Sequence, residues 1–316
     1  MSSSASGSLP YTESWLEGPQ ATKFYTRLYN PSSPKALVVF IHGFAEHVGR
    51  YNHIHPRFAE RGIALFTLDQ RGFGRTALDE KNRSKGSSWG KTSWTDQMQD
   101  IDWAINHARK QVPDVPMFLM GHSMGGGEVL GFITDSSEKY STTVKLLTGV
   151  IVTSPLITQA HPASKLLRWI GSKASQLTPN TLIPTDLKPE HLSRDPAFNE
   201  AYMKDPYIRL TGSLRGIRDM LTMGEELLSV RWQKWPSHLP VIFLHGTADE
   251  ITSHESSKTF HDKIQTQDKK FVSFPDAYHE LQNEPNGVKE QMVDEVGGFV
   301  DAHLSSPSSE SVSAKM

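Results

Sequence analysis

Apolar, largely β-branched residues gather in short unbroken runs along this chain. ALVVFIHG at 36–43, ALFTLDQRG at 64–72, MFLMGHS at 117–123, LTGVIVTSP at 147–155, PVIFLHGTAD at 240–249 and FVSFP at 271–275 are all strand-sized. Continuous apolar runs, as opposed to apolar–polar alternation, predict parallel strands covered on both faces. The intervening segments predict helices over about 51–61, 94–111, 124–134, 254–265 and 287–304. An earlier pair, Ser14–Leu16 and Lys23–Tyr29 about Gly18-Pro19, predicts a hairpin. The alternation as a whole predicts an α/β fold with a doubly wound, mostly parallel sheet, and such sheets take ligands at the carboxyl ends of their strands.

Between Pro155 and Pro240 no buried strand is evident, and the gap is too long for a crossover loop. Helical patterns at Ala163–Leu177, Pro196–Met203 and Leu214–Val230 predict an inserted helical cap over 156–236, with the core formed by 11–155 and 237–304. Leu166, Leu167, Ile170, Ala174 and Leu177 share one helical face, with Lys165, Arg168 and Lys173 elsewhere. That face suits packing on its own domain or, as a basic amphipathic lid, contact with a membrane or lipid-droplet surface. The Ser-rich ends, 1–10 and 305–316, are expected to be disordered.

Composition narrows the function classes. Among 316 residues there is no cysteine, so disulfides, thiolate metal sites and a cysteine nucleophile are excluded. Lys plus Arg number 33 against 35 Asp plus Glu, a net charge of −2 without the basic excess of a nucleic-acid binder. No run approaches the roughly 20 apolar residues of a transmembrane helix. MSSSASGSLP lacks the basic and apolar regions of a signal peptide. The chain is therefore expected to be intracellular, in the cytoplasm or on a lipid droplet or membrane. The alternative is the peroxisome, since Ala314-Lys315-Met316 is a variant of a C-terminal targeting tripeptide.

The chemistry centres on Gly121-His122-Ser123-Met124-Gly125. This G-x-S-x-G pattern follows a predicted strand and opens a predicted helix, which is the context of a nucleophile elbow. The helix N-terminus aims free N–H groups and its positive dipole end at Ser123. A serine nucleophile needs a base, and the base needs an orienting acid, expected in the chain order Ser, Asp or Glu, His. The strand ending in HGTADE supplies Asp249, with Glu250 and Asp276 as rivals, and the strand ending in FPDAYHE supplies His279. His42, His122 and His245 are poorer bases: one sits at the mouth of an earlier strand, one beside the nucleophile, one before a glycine turn. The backbone N–H groups of Phe44, in the His42–His47 loop, and of Met124 form the natural oxyanion pair.

Taken together, HGFAEHVGRY, DQRGFGRT, GHSMGGG, SPLI, HGTADEIT and AYHE resemble the monoglyceride lipases of the α/β-hydrolase superfamily, particularly fungal members. The resemblance spans about Tyr11 to Leu304. It implies a Ser123–Asp249–His279 triad with Phe44 and Met124 in the oxyanion hole, and no metal or organic cofactor. The substrate it implies is a monoacylglycerol, with a lysophospholipase or general carboxylesterase as the alternative and a non-catalytic binding protein as a more distant one. It also suggests that Glu46, Arg50 and Tyr202 help bind the glycerol head group. Asp69 and Arg71 read as loop ties, and Leu166, Leu167, Ile170, Leu177, Leu182 and Ile183 as candidates for an acyl tunnel. Two departures stand out: Gln282 replaces a histidine of the animal members, and Thr252 stands at a position where they carry a cysteine.

Overall fold

The computed structural model describes residues 9–135 and 137–304. The expected disorder of both ends falls almost wholly outside them, and the C-terminal tripeptide lies outside them. The strands are β1 (Thr12–Glu17), β2 (Lys23–Tyr29), β3 (Ala36–Ile41), β4 (Ile63–Leu68), β5 (Met117–His122), β6 (Gly149–Thr153), β7 (Leu182–Pro184), β8 (Thr211–Ser213), β9 (Val241–Gly246) and β10 (Lys269–Phe274). The helices are α1 (His55–Glu60), α2 (Gly74–Leu78), α3 (Trp94–Gln111), α4 (Met124–Ile133), α5 (Ser141–Val144), α6 (Lys165–Leu177), α7 (Pro196–Lys204), α8 (Leu214–Ser229), α9 (His254–Lys263) and α10 (Val288–Ala302).

Eight strands form one sheet in the order β1-β2-β4-β3-β5-β6-β9-β10. From β4 through β10 every neighbouring pair is parallel, and the β1–β2 hairpin joins antiparallel through β2 to β4. Strands β3, β4, β5, β6 and β9 are buried along their whole length. The reason is the layering. Leu37, Val39, Leu119 and Val152 face a core with α3, α4 and α9, whereas Val38, Phe40, Met120 and Ile151 face α1 and α10. Two apolar faces per strand explain why the sequence shows runs instead of alternation.

The helix expected over 51–61 is shorter. A single 3-10 turn, Val48–Tyr51, precedes α1, whose first turn holds Pro56, a residue that fits only there because it has no N–H to donate. The DQRGFGRT segment contains the unforeseen α2 and otherwise acts as expected. Asp69 accepts the Val48 and Arg75 backbone N–H groups at 2.8 and 2.7 Å, and Arg71 forks onto Asp100 at 2.7 and 2.8 Å.

Between β6 and β9 the chain builds α6, α7 and α8, together with a ribbon that sequence reasoning missed. Strands β7 and β8 pair antiparallel over three residues each. At three residues each they are too short to carry an apolar run, so they leave no hydrophobic signature. Helix α8 is docked on the core through buried Met223, Gly224 and Leu227. Helix α6 lies on α8 the opposite way to a core-packing helix. Its Arg168 pairs with Glu225, and its buried Ser175 accepts from Arg218 at 3.0 Å. Leu166, Leu167, Trp169, Ile170 and Leu177 are instead 50–85% exposed.

Candidate active site

Ser123 joins β5 to α4 at φ 54° and ψ −120°, a conformation that a side chain makes costly. The surroundings enforce it. The Ser123 N–H donates to Thr153 O at 3.0 Å, and its carbonyl accepts from Gly127 and Leu156 at 3.0 and 2.8 Å. A Cβ on Gly125 would overlap the carbonyl oxygens of Ile41 and His42, and one on Gly121 would overlap Gly125 itself. The glycines therefore let α4 run directly against the backbone of β3 and β5, which brings its N-terminus under the serine hydroxyl.

His279 follows β10 and Asp249 follows β9, so two neighbouring strands bring base and acid to the same edge as the elbow. The His279 Nε2 lies 2.8 Å from Ser123 Oγ, and its Nδ1 lies 2.7 Å from Asp249 Oδ2. Because a carboxylate only accepts, Nδ1 carries the proton and Nε2 presents its lone pair to the serine. Asp249 also accepts the backbone N–H groups of Ile251 and Thr252 at 2.8 and 2.9 Å, the Thr252 hydroxyl at 2.8 Å and His245 Nε2 at 3.1 Å. Burial disfavours its charge, but His279 and the hydrogen bonds from His245 and His279 overcome this and hold Asp249 well below the usual carboxylate range. Burial likewise opposes charge on His279, and Asp249 outweighs it, raising the imidazole above its ordinary value. The rival acids stay outside: Glu250 pairs with exposed His161, and Asp276 is exposed.

His122 takes no part in the relay. Its ring lies 4.9 Å from that of His279 and its Nδ1 is 3.0 Å from Thr153 Oγ1. Burial, and then the charge of His279, push it down to about 4, so it packs as a neutral ring against the base.

The oxyanion side is held as firmly. A Cβ on Gly43 would sit 3.0 Å from Ser123 Cβ, so the loop after β3 passes directly beside the nucleophile. Among the described residues neither the Phe44 nor the Met124 N–H has a hydrogen-bond partner. The Gly43–Phe44 peptide that bears the first donor is fixed through its carbonyl. Gln70 N–H donates to His42 Nε2 at 2.8 Å, which leaves His42 Nδ1 as the protonated nitrogen, donating to Gly43 O at 2.8 Å. The Gly43 N–H is held in turn by Glu46.

Glu46, Arg50 and Tyr202 are brought together, all buried. Glu46 accepts from Arg50 and Tyr51 at 2.8 Å each. Arg50 also forks onto Glu280 at 2.7 and 2.8 Å and lies over the Tyr202 ring at 4.5 Å. The Tyr202 hydroxyl donates to Ala45 O at 3.3 Å. Burial works against the Glu46 charge, and Arg50 more than offsets it, leaving the carboxyl at about 2. The sequence had marked these three for the head group. Their polar atoms are instead directed at one another and at the Gly43–Ala45 backbone, and none lines the cavity beside Ser123.

That cavity, about 910 Å³, opens between core and cap and is lined by Ser123 with Phe44, Leu156, Leu214, Ile217, Met220 and Leu221. Of the six tunnel candidates, only Leu167 and Ile183 reach it. Leu166, Ile170 and Leu177 point to solvent, because α6 turns its polar face to α8, and Leu182, on β7, is half-exposed against Gly90. Sequence reasoning set His245 aside as a base and noted Thr252 only as a departure from the animal members, and it missed Glu280. His245 and Thr252 flank Asp249 in HGTADEIT, and Glu280 adjoins His279, so nearness to the triad was the available signal.

A strained serine, an imidazole relay to a buried carboxylate and two free N–H groups on a doubly wound sheet define a serine hydrolase of the α/β-hydrolase fold. The family model described as serine aminopeptidase, S33 (Hydrolase_4) matches residues 32–286, and the chain belongs to that family. A Schizosaccharomyces pombe protein provisionally named a monoglyceride lipase is 34% identical over 85% of this chain and 68% of its own. The monoacylglycerol lipase of Mycolicibacterium smegmatis is 28% identical, covering 86% of this chain and 90% of its own. A crystal structure of a soluble variant of Saccharomyces cerevisiae monoglyceride lipase, bound to a substrate analogue, superposes with a TM-score of 0.80 at 25% identity, covering 95% and 96% of the two chains. The chain is an ester-hydrolysing enzyme.

Proposed function

We propose that this enzyme hydrolyses monoacylglycerols to a fatty acid and glycerol. The observation that carries the reading is the Ser123–His279–Asp249 relay with Ser123 lining a largely apolar cavity, supported by relatives named for that activity. The apolar wall suits an acyl chain, and the polar floor suits the ester. His279 Nε2 takes the Ser123 proton as Oγ bonds to the ester carbonyl carbon, and the resulting oxyanion is held by the Phe44 and Met124 N–H groups. Collapse breaks the acyl–oxygen bond, and the proton on His279 passes to the departing glycerol oxygen. Water then gives a proton to His279 and its oxygen to the acyl carbon. Collapse of this second intermediate returns the proton to Ser123 and releases the acid. Asp249 remains ionised throughout and stabilises the imidazolium.

The outward apolar face of α6 supports a further part of the reading, contact with a membrane or lipid-droplet surface beside the cavity mouth. Leu166, Ile170 and Leu177 do not line the cavity, so their replacement by serine separates surface contact from catalysis. Turnover of a long-chain monoacylglycerol in vesicles should fall while that of a soluble short-chain ester stays unchanged. Equal turnover of both would overturn the contact.

The substrate is tested with 1- and 2-monoacylglycerols beside di- and triacylglycerol, lysophosphatidylcholine and p-nitrophenyl esters, with Ser123→Ala as the control. Monoacylglycerol should give the highest kcat/KM. Preference for lysophosphatidylcholine or triacylglycerol would displace the substrate assignment and leave the chemistry standing.

A further inference from the structure

The catalytic carboxylate has two histidines on it. His279 Nδ1 and His245 Nε2 both point at Asp249 Oδ2, at 2.7 and 3.1 Å. His245, one residue before the end of β9, has no exposed surface and does not line the cavity beside Ser123. Its other nitrogen, Nδ1, lies 3.0 Å from the hydroxyl of Ser257 on α9, itself fully buried. Asp249 can only accept, so His245 Nε2 carries a proton, and Ser257 fixes the ring from behind.

We propose that His245 is a positioning residue that lowers the basicity of His279 by sharing Asp249 Oδ2 with it. A donor on an anion disperses its charge, so the carboxylate pulls less strongly on the His279 proton than it would alone. The effect matters because the base must be neutral to accept the Ser123 proton, yet acidic enough as imidazolium to protonate the leaving oxygen. Burial opposes charge on His279, Asp249 is the largest influence raising it above its ordinary value, and a second donor on the same oxygen keeps that rise in check. The hydroxyl of Thr252, 2.8 Å from the same oxygen, acts in the same sense.

Other groups also face the relay. From β5 His122 lies against His279, and from α9 His254 lies 5.4 Å from His245. On the far side Glu46 and Glu280 favour charge on His279. None of them hydrogen-bonds to Asp249 Oδ2, and of these only His254 packs against His245 itself.

The test rests on the triad reading and is independent of the physiological substrate. Wild type, His245→Leu, His245→Gln and Ser257→Ala are compared by kcat/KM against pH on a soluble p-nitrophenyl ester, with Ser123→Ala as control. Leucine removes the donor, and the acid limb should move about half a pH unit or more upward, with a kcat loss of roughly tenfold and little change in KM. Glutamine places an N–H near the Nε2 position and should return the limb toward wild type. Ser257→Ala keeps the histidine but frees its ring, and should move the limb the same way by less, which supplies a reading even where His245→Leu does not fold. A limb that stays in place or moves downward in both His245→Leu and Ser257→Ala, or one that glutamine does not restore, would overturn the role of His245. Activity surviving in Ser123→Ala would instead overturn the triad reading.

Discussion

Arg50 and Glu280 form a two-point ion pair at 2.7 and 2.8 Å, buried on both sides, and it ties the oxyanion loop to the loop that carries the base. Arg50 follows β3 and holds Glu46, which in turn holds Gly43. Glu280 follows His279 directly. One guanidinium therefore sets the spacing between the Phe44 donor and the imidazole.

Breaking that tie should cost catalysis as well as stability. Glu280→Gln retains the shape but loses the charge, and about 1–3 kcal/mol of stability should go with it. Arg50→Ala leaves Glu46 and Glu280 buried without their cation, and should cost about 3–5 kcal/mol. In Glu280→Gln, kcat should fall about tenfold or more while KM changes less, since the transition state depends on the spacing more than the bound substrate does. Thermal melts and steady-state kinetics on one preparation check both effects.

The raised His279 sets the direction of the acid limb. The imidazole must be neutral to accept the Ser123 proton, so kcat/KM should decline as pH falls through its value, which lies above the ordinary histidine figure of about 6.5. Removing the Asp249 charge with Asp249→Asn should move that limb to lower pH and reduce kcat by about 10⁴-fold, because the tautomer is no longer held. A pH profile of both proteins across roughly pH 5 to 9, which brackets the ordinary histidine value of about 6.5, provides the measurement.

Glu128 on α4 lies fully buried, with neither oxygen hydrogen-bonded among the described residues. Burial pushes its carboxyl well above the ordinary range, so it folds as a neutral acid. A folded value above the unfolded one gives stability that is fully present below the unfolded value of about 4.3 and is lost as pH rises toward the folded one. Glu128→Gln never ionises, so it should be more stable than wild type at pH 7–8 by at least about 1 kcal/mol, with the gain vanishing near pH 4. Denaturant melts at the two pH values test this.

Gly125 has no room for a methyl group, since the carbonyl oxygens of Ile41 and His42 occupy the space. Gly125→Ala should push α4 off β3 and cost about 3 kcal/mol. It should also lower kcat, because the Met124 N–H moves with the helix. Circular dichroism melts and active-site labelling with a fluorophosphonate read the two consequences separately.

The chain's local patterns determined a good deal. Unbroken apolar runs marked β3, β4, β5, β6 and β9, because a strand covered on both faces has no polar side to show. The glycines about Ser123, with Asp249 and His279 at the ends of later strands, marked the triad, because each lies where a strand stops at the ligand edge. Tertiary structure decided the rest. Periodicity placed Leu166, Ile170 and Leu177 on one face of α6, but only the Arg168–Glu225 pair and the Ser175–Arg218 bond turn that face outward. Glu46, Arg50 and Tyr202 could be named from the sequence, yet the Arg50–Glu280 pair and the Tyr202 bond to Ala45 O join segments far apart in the chain. Around Asp249, His245 and Thr252 are near neighbours in the chain, whereas His279 is brought in from the end of β10. Local propensity acts over a few residues and is written in the chain, whereas the choice of partner for a polar atom or an apolar face depends on which surfaces the fold brings together.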